Sequence, residues 1–143
     1  MKSGVLLDTN VLSELMRPRP DATVLAWFEQ HPSIRYYTSA ITQAEILLGV
    51  ALLPAGKRRD AIALAAEQMF KEELAGHCLP FDHRAAQEYA LLIAIRTKIG
   101  APISTEDAQI AAIAILHHLP LVTRNTKDFL HIKKLQLLNP WVS

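Results

Sequence analysis

The sequence predicts an α/β fold in which a central, mainly parallel sheet lies between two layers of helices. Short apolar or β-branched runs alternate along the chain with longer segments of helical pattern. Strands that are separated by helices pair in parallel, because each crossover brings the chain back to the same edge of the sheet. The first run, Val5-Leu6-Leu7, lacks polar alternation, as expected of a strand that is buried on both faces. The 143 residues, half of them hydrophobic, suit one domain, which we place at 1–143.

The first half of the chain is predicted to contain two strands and four helices. Helical pattern covers 11–16 and then the segment from the capping residue Asp21 to about residue 30, and prolines end both. The β-branched and aromatic run 34–39 predicts the second strand. Further helices are expected over 42–53 and 57–74, separated by a turn and ended by Gly76.

The second half is predicted to contain two long helices among short strands. Residues 77–79 are compatible with a third strand, and Asp82 is expected to cap a helix that ends at Gly100. Ser104 opens the next helix, which runs to His118 and is apolar nearly all round, as is typical of a central, buried helix. The remaining strands are expected at 121–123 and 135–138, with a turn or a single helical turn at 125–129.

Composition limits the classes of function that the chain can have. The formal net charge of +1 argues against a protein that binds nucleic acid by charge alone, unless basic residues balance an acidic site. The one cysteine, Cys78, excludes an intrachain disulfide framework and a thiolate zinc site, and it fits a reducing cytoplasm. We expect no signal peptide before the first strand, and no apolar run approaches membrane-spanning length. We therefore expect a cytoplasmic protein with no membrane partner.

Four carboxylates lie near places where strands of a parallel sheet would end or helices begin: Asp8, Glu45, Asp107 and Asp128. All strand C-termini share one edge of a parallel sheet, so acids placed there can converge. Glu45 and Asp107 also continue apolar stripes at helical spacing, which predicts that both face the core. A carboxylate in the core is costly unless it is paired, protonated or bound to a cation, and no lysine or arginine stands at a matching position. Hard oxygen ligands of this kind favour Mg²⁺ or Mn²⁺.

Each acid also has a purely structural interpretation. Asp8 would cap the helix that follows it, and Asp128 would stabilise a turn. Thr42-x-x-Glu45 and Ser104-x-x-Asp107 both have the form of a capping box, in which a hydroxyl and an acid satisfy the first amides of a helix. For any one acid taken alone, capping is the more common role.

Acids that cluster without a nucleophile beside them indicate hydrolysis of a phosphodiester with a divalent ion that activates water. Neutral hydrogen bonds around such a site would come from four further side chains, namely Thr9, Ser39, Thr123 and Asn125. Two other classes of protein stay open. An aspartyl-phosphate phosphatase would use Asp8 as its nucleophile, although Asn10 stands where such enzymes usually carry a second aspartate. A non-catalytic module that only binds a partner would use the acids as caps.

A series of short motifs occurs in a fixed order along nearly the whole chain. They are Leu6-Leu7-Asp8-Thr9-Asn10-Val11, Ser39-Ala40-Ile41-Thr42 with Ala44-Glu45, Gly49-Val50-Ala51-Leu52-Leu53, Pro80-Phe81-Asp82, Ile103-Ser104, Asp107-Ala108-Gln109-Ile110-Ala111-Ala112, Thr123-Arg124-Asn125 with Asp128-Phe129, and Asn139-Pro140-Trp141. In this order the sequence resembles the PIN-domain ribonucleases, in particular the VapC and FitB-like toxins of toxin–antitoxin pairs.

The resemblance implies a three-layer α/β/α PIN-like fold and a metal-dependent endoribonuclease that cuts RNA with a metal-activated water. By the family pattern, Asp8, Glu45 and Asp107 are the core ligands of Mg²⁺, with Mn²⁺ as the alternative. Asp128 matches a fourth position that varies more among members, and Thr9 matches the hydroxyl that follows the first acid.

The resemblance also implies partners. Toxins of this kind are held inactive by an antitoxin of the VapB or FitA type, whose C-terminal segment packs over the groove and through which DNA is bound. Homodimers and toxin–antitoxin hetero-oligomers are typical. Helices 42–53 and 57–74 are candidates for the antitoxin or dimer surface. Lys57-Arg58-Arg59 opens a helix, where the dipole disfavours cations, so this run is either a contact for RNA or antitoxin or a solvated helix start.

Overall fold

The computed structural model describes residues 4–142; residues 1–3, which the sequence places directly before the first strand, and Ser143 lie outside the described range. The strands are Gly4–Leu7 (β1), Arg35–Ser39 (β2), Cys78–Leu79 (β3), Leu121–Val122 (β4) and Leu137–Leu138 (β5). The helices are Thr9–Leu15 (α1), Ala22–Glu29 (α2), Ala40–Ala51 (α3), Lys57–Gln68 (α4), His83–Lys98 (α5) and Thr105–Leu116 (α6). A π-helical turn, Met69–Glu73, extends α4, and a 3₁₀ helix, Thr126–Phe129, lies between β4 and β5.

The strands form one parallel sheet in the order β3-β2-β1-β4-β5, with β1 at its centre. Each link between neighbouring strands includes helical structure, as parallel pairing requires. The α/β class with a parallel central sheet is therefore confirmed. Among residues 4–142, none of the helices is long and apolar enough to cross a lipid bilayer.

Successive residues of the central strands pack into two separate cores, one on each face of the sheet. Leu6 joins a cluster with α5 and α6, whereas its neighbours Val5 and Leu7 join a cluster with α1, α3 and α4. Leu121 and Val122 divide between the two cores in the same way. This alternation follows from the two-residue period of a strand, and it produces the three-layer arrangement predicted from the sequence.

Helix α3 begins at Ala40, two residues before the predicted start at Thr42, so its capping residue also differs from the prediction. Ser39 caps α3, since its Oγ accepts a hydrogen bond of 3.0 Å from the backbone N–H of Thr42. Thr42 is buried inside the first turn, so the interpretation of Thr42-x-x-Glu45 as a capping box is wrong. The predicted caps at Asp21 and Asp82 are confirmed, because each carboxylate accepts backbone N–H groups of the first turn.

Several segments meet at the edge of the sheet formed by the C-terminal ends of the strands, called the carboxyl edge below. Asp8 directly follows β1, and α3 starts immediately after β2. The first turn of α6 also lies near this edge, because the charge of Asp107 in that turn acts on Asp8 and on Glu45. The 3₁₀ helix follows β4 there as well. Four segments of distant sequence thus meet at one edge, as open parallel sheets place ligands.

Candidate active site

Asp8 lies at the centre of this edge and is only 4% exposed. Its Oδ1 accepts a 2.8 Å hydrogen bond from the backbone N–H of Thr9. Its Oδ2 accepts a 2.8 Å hydrogen bond from the Thr123 hydroxyl and a longer one, 3.4 Å, from the Asn10 amide. Three donors from two segments therefore fix the orientation of this carboxylate.

The pKa of Asp8 is raised above its ordinary value, chiefly because burial disfavours the charged form. The hydrogen bonds from Thr123 and Thr9 act in the opposite direction, and the charges of Asp107 and Glu45 raise the pKa further. The carboxylate is thus buried, hydrogen-bonded and close to other acids, and no cation of the described residues contributes to its pKa.

Glu45 belongs to the same cluster but does not face the core. Its side chain is exposed, and the apolar residues that continue its helical stripe are exposed too, with Leu48 at 59% and Leu52 at 75%. The prediction of a core-facing Glu45 is therefore wrong: helical spacing identifies a face, not what covers it. The Thr9 hydroxyl donates a 2.7 Å hydrogen bond to Glu45 Oε1, which holds this carboxylate beside the segment that carries Asp8.

Asp107 lies half-buried in the first turn of α6, where the backbone N–H of Asp107 donates a 3.1 Å hydrogen bond to Ser104 Oγ. This is one half of the predicted capping box. Burial is the main cause of a raised pKa at Asp107, and the charges of Asp128 and Glu45 add to it. Asp128 is exposed on the 3₁₀ helix. The structure thus brings Asp8, Glu45 and Asp107 within electrostatic reach of one another, and Asp128 within reach of Asp107.

Within residues 4–142, no basic side chain pairs with this cluster. None of the three ion pairs among residues 4–142 includes any of the four acids. In the same range, no three His, Cys, Asp or Glu side chains stand close enough together to enclose a metal ion. The donor chemistry suits Mg²⁺ or Mn²⁺, which bind oxygen and supply positive charge. Because the side chains do not enclose a site as they stand, they would have to draw together around the ion.

The four predicted supporting residues have different positions in the structure. Thr9 and Thr123 bond directly to Glu45 and Asp8, as described above. Ser39 is buried as the cap of α3, so it positions that helix and makes no hydrogen bond to an acid. Asn125 contacts the network only through its backbone N–H, which donates a 3.1 Å hydrogen bond to Thr123 Oγ1.

Sequence reasoning missed one residue of the site, Asn10. Its amide nitrogen lies 3.4 Å from Asp8 Oδ2 and 3.3 Å from Thr123 Oγ1. Its amide oxygen accepts a 3.1 Å hydrogen bond from the backbone N–H of Arg124. Asn10 therefore joins the ends of β1 and β4. The signals in the sequence were its place two residues after Asp8 and its inclusion in the motif that runs from Leu6 to Val11.

Comparison with known proteins assigns this arrangement to a family. Residues 5–135 match the family model described as PIN domain. The chain belongs to the PIN domain family. The match extends from β1 through the 3₁₀ helix, so it includes every acid of the cluster.

Relatives within the PIN domain family cover nearly the whole chain. VapC ribonuclease Y4jK of Sinorhizobium fredii is 42% identical over 137 residues, which are 96% of this chain and 97% of the relative. Toxin FitB of Neisseria gonorrhoeae is 41% identical over 137 residues, 96% and 98% of the two chains. A solved structure of FitAB bound to an IR36 DNA fragment superposes with a TM-score of 0.86 at 39% identity, covering 97% and 96%.

The raised pKa of Asp107 predicts how this PIN domain responds to pH without metal. A native pKa above the unfolded value means that the folded state holds the proton more tightly, so the unfolding free energy falls as pH rises above the ordinary aspartate pKa of 3.8. Asp107→Asn has no carboxyl to titrate at this position, so its unfolding free energy should not fall with pH for this reason. In chelator, we expect the variant to have a higher Tm than the parent at neutral pH, and no advantage below that pKa.

Asp60→Asn is the matched control for this comparison. Asp60 is an exposed acid in the first turn of α4, where the helix dipole favours its charge, so its removal should not raise Tm. A neutral-pH Tm of Asp107→Asn at or below that of the parent would contradict the electrostatic account.

Proposed function

We propose that the chain is a Mg²⁺- or Mn²⁺-dependent endoribonuclease and the toxin of a toxin–antitoxin pair. The observation that carries the proposal is the uncompensated cluster of Asp8, Glu45, Asp107 and Asp128 at the carboxyl edge of the sheet. The relatives named ribonuclease and toxin, at 42% and 41% identity, support the same activity.

The chain supplies the carboxylates that this chemistry needs and the residues that orient them. Asp8, Glu45 and Asp107 would hold the ion, with Asp128 assisting directly or through water. When bound, the divalent ion neutralises phosphate charge and lowers the pKa of water. Thr123 and Asn10 hold Asp8 in one orientation, and Thr9 holds Glu45. Burial, which raises the pKa of Asp8, also makes its carboxylate a stronger ligand for a cation.

Two grooves are suited to protein partners. One, of about 510 Å³, lies among α1, α3 and α4, where Ile46, Val50 and Ile62 form apolar walls with Glu45 and Arg58 at the rim. We assign it to the antitoxin segment, because an apolar peptide with a basic side chain would satisfy both the walls and Glu45.

A second groove, of about 690 Å³, runs along α5 past three exposed residues, Leu91, Ile95 and Ile99. Glu88 lies among its lining residues, and so do the exposed cations Lys133 and Lys134. Such a face can pair with a second copy of itself about a two-fold axis, acid to base. We assign this groove to the homodimer.

The alternative functions fit the geometry less well. Asp8 is buried and both its oxygens accept hydrogen bonds, which disfavours its use as the nucleophile of a phosphatase. Capping accounts for Asp8 and for the position of Asp107, but not for Glu45, which lies beyond the first turn of α3.

The direct test is cleavage of single-stranded RNA by the purified full chain. We expect cleavage in Mg²⁺, none after chelation, and recovery when Mg²⁺ or Mn²⁺ is restored. Cleavage that persists in chelator, or hydrolysis of a phosphate monoester with a phosphoaspartate trapped at Asp8, would contradict the proposal.

A further inference from the structure

The segment after β4 carries a cation, Arg124, whose backbone is bonded to the acid site and whose side chain pairs with none of the four acids. Arg124 is exposed and directly follows Thr123, the residue that bonds Asp8. The centre of its guanidinium lies 5.1 Å from the centroid of the Trp141 ring, within the range of a cation–π contact. Among residues 4–142, Arg124 takes part in no ion pair.

The backbone of Arg124 is fixed on both sides. Its N–H donates a hydrogen bond of 3.1 Å to Asn10 Oδ1, and Asn10 in turn contacts Asp8. Its carbonyl accepts a 3.4 Å hydrogen bond from Asn139 Nδ2. These two bonds tie Arg124 to the ends of the strands that carry the site.

Trp141 is fixed as well. Its N–H donates a 2.9 Å hydrogen bond to Asn139 Oδ1, and its ring packs against the core that contains Val122. A free arginine side chain would lose much rotamer entropy on binding, whereas one that already rests on a fixed ring loses less. The Arg124 side chain, held on Trp141, would therefore lose less conformational entropy on binding a ligand than a free arginine would.

The cluster of four acids repels a polyanion, so a phosphodiester needs a nearby cation to approach it. A guanidinium can bind phosphate through its edge while one face rests on an indole, and its other face can stack on a base. On the basis of the function proposed above, we infer that Arg124, held by Trp141, is a substrate-binding residue that contacts the RNA strand beside the scissile phosphodiester.

The test separates RNA binding from cleavage. A fluorescein-labelled, random-sequence single-stranded RNA is titrated with the full chain carrying Asp107→Asn in chelator, over a range of KCl concentrations. Arg124→Gln in this background should weaken binding about tenfold, the effect of one charge-assisted contact. It should also reduce the slope of log affinity against log salt by about 0.7, the value for one phosphate contact on a single strand.

Two further variants distinguish a specific contact from general charge. Arg124→Lys should keep the salt slope but bind less tightly, because lysine lacks the planar group. Arg35→Gln is the matched control, since Arg35 is exposed at the start of β2 and therefore at the opposite edge of the sheet. Arg35→Gln should change neither the affinity for RNA nor the salt slope. In the chain with intact acids, Arg124→Gln should raise KM and leave kcat nearly unchanged.

The outcomes separate this inference from the proposed function. If the parent binds and cleaves RNA but Arg124→Gln matches Arg35→Gln in slope and KM, the inference is overturned and the nuclease stands. If the RNA slope is unchanged while affinity for an acidic protein partner falls, Arg124 serves that partner and the inference is also overturned. If the parent neither binds nor cleaves RNA, the proposed nuclease function itself is contradicted, whatever the Arg124 variants do.

Discussion

Replacing Asp8 or Asp107 by asparagine is expected to reduce metal-dependent RNA cleavage by about a thousandfold. The divalent ion contributes several kcal/mol to such a reaction, and about 4 kcal/mol corresponds to a factor of a thousand in rate. Both side chains change by one atom, so the fold should be retained. Initial rates on a single-stranded RNA in Mg²⁺, with circular dichroism of each variant, measure the effect.

Asp60→Asn again serves as the control, because it removes one carboxylate from an exposed position on α4, outside the cluster. Full activity in both Asp8→Asn and Asp107→Asn, in preparations free of contaminating nuclease, would refute the assignment of the acids. Loss of activity that accompanies unfolding would not count as support, so the circular dichroism spectra decide which variants are interpreted.

Phe129→Ala is expected to have the largest effect on stability, about 3–5 kcal/mol in the free energy of unfolding. Phe129 is 1% exposed and belongs to the core that contains α5 and α6. It also ends the 3₁₀ helix that carries Asp128, so the cavity left by its removal would release that acid. Denaturant unfolding measures the stability, and cleavage rates measure the second effect.

Phe129→Leu tests the same point if the alanine variant does not fold. Leucine keeps most of the apolar volume, so a loss well below that of alanine is expected. Equal stability of the parent and Phe129→Ala would mean that the segment after β4 is not anchored by this ring.

Local sequence signals predicted the centre of the site well. An apolar run followed by Asp8, Thr9 and Asn10 marks a buried strand that ends at a helix cap, and in the structure Asp8 caps α1, which begins at Thr9 rather than at the predicted residue 11. The buried helix α6 was equally clear, because its residues from Ala108 to Ile115 are nearly all apolar. In both cases a single stretch of chain contains the whole signal.

The position of Glu45 could not be predicted from its own helix. The stripe through Glu45, Leu48 and Leu52 has the spacing of a core face, yet in this chain it is exposed. Periodicity reports that one face is apolar, and a face intended for a partner has the same pattern. The prediction of Thr42 as a cap failed because Ser39, three residues earlier, also carries a hydroxyl and stands directly before the first helical residue.

The link between Asn10, Arg124 and Trp141 lay beyond sequence reasoning. The hydrogen bond between the Asn10 side chain and the backbone of Arg124 joins residues 114 positions apart. No local pattern encodes such a contact, because it depends on which strands are neighbours in the sheet. Strands of two residues, such as β4 and β5, are also too short for pattern to fix their bounds.

Calorimetric titration of Mn²⁺ into the metal-free full chain tests the central claim most directly, because it needs neither RNA nor an antitoxin. We expect saturable binding to the parent and to Asp60→Asn, and at least tenfold weaker binding to Asp107→Asn, since one ligand charge is lost. Absence of binding to the parent, or equal affinity in Asp107→Asn, would contradict a shared cation site at the carboxyl edge of the sheet.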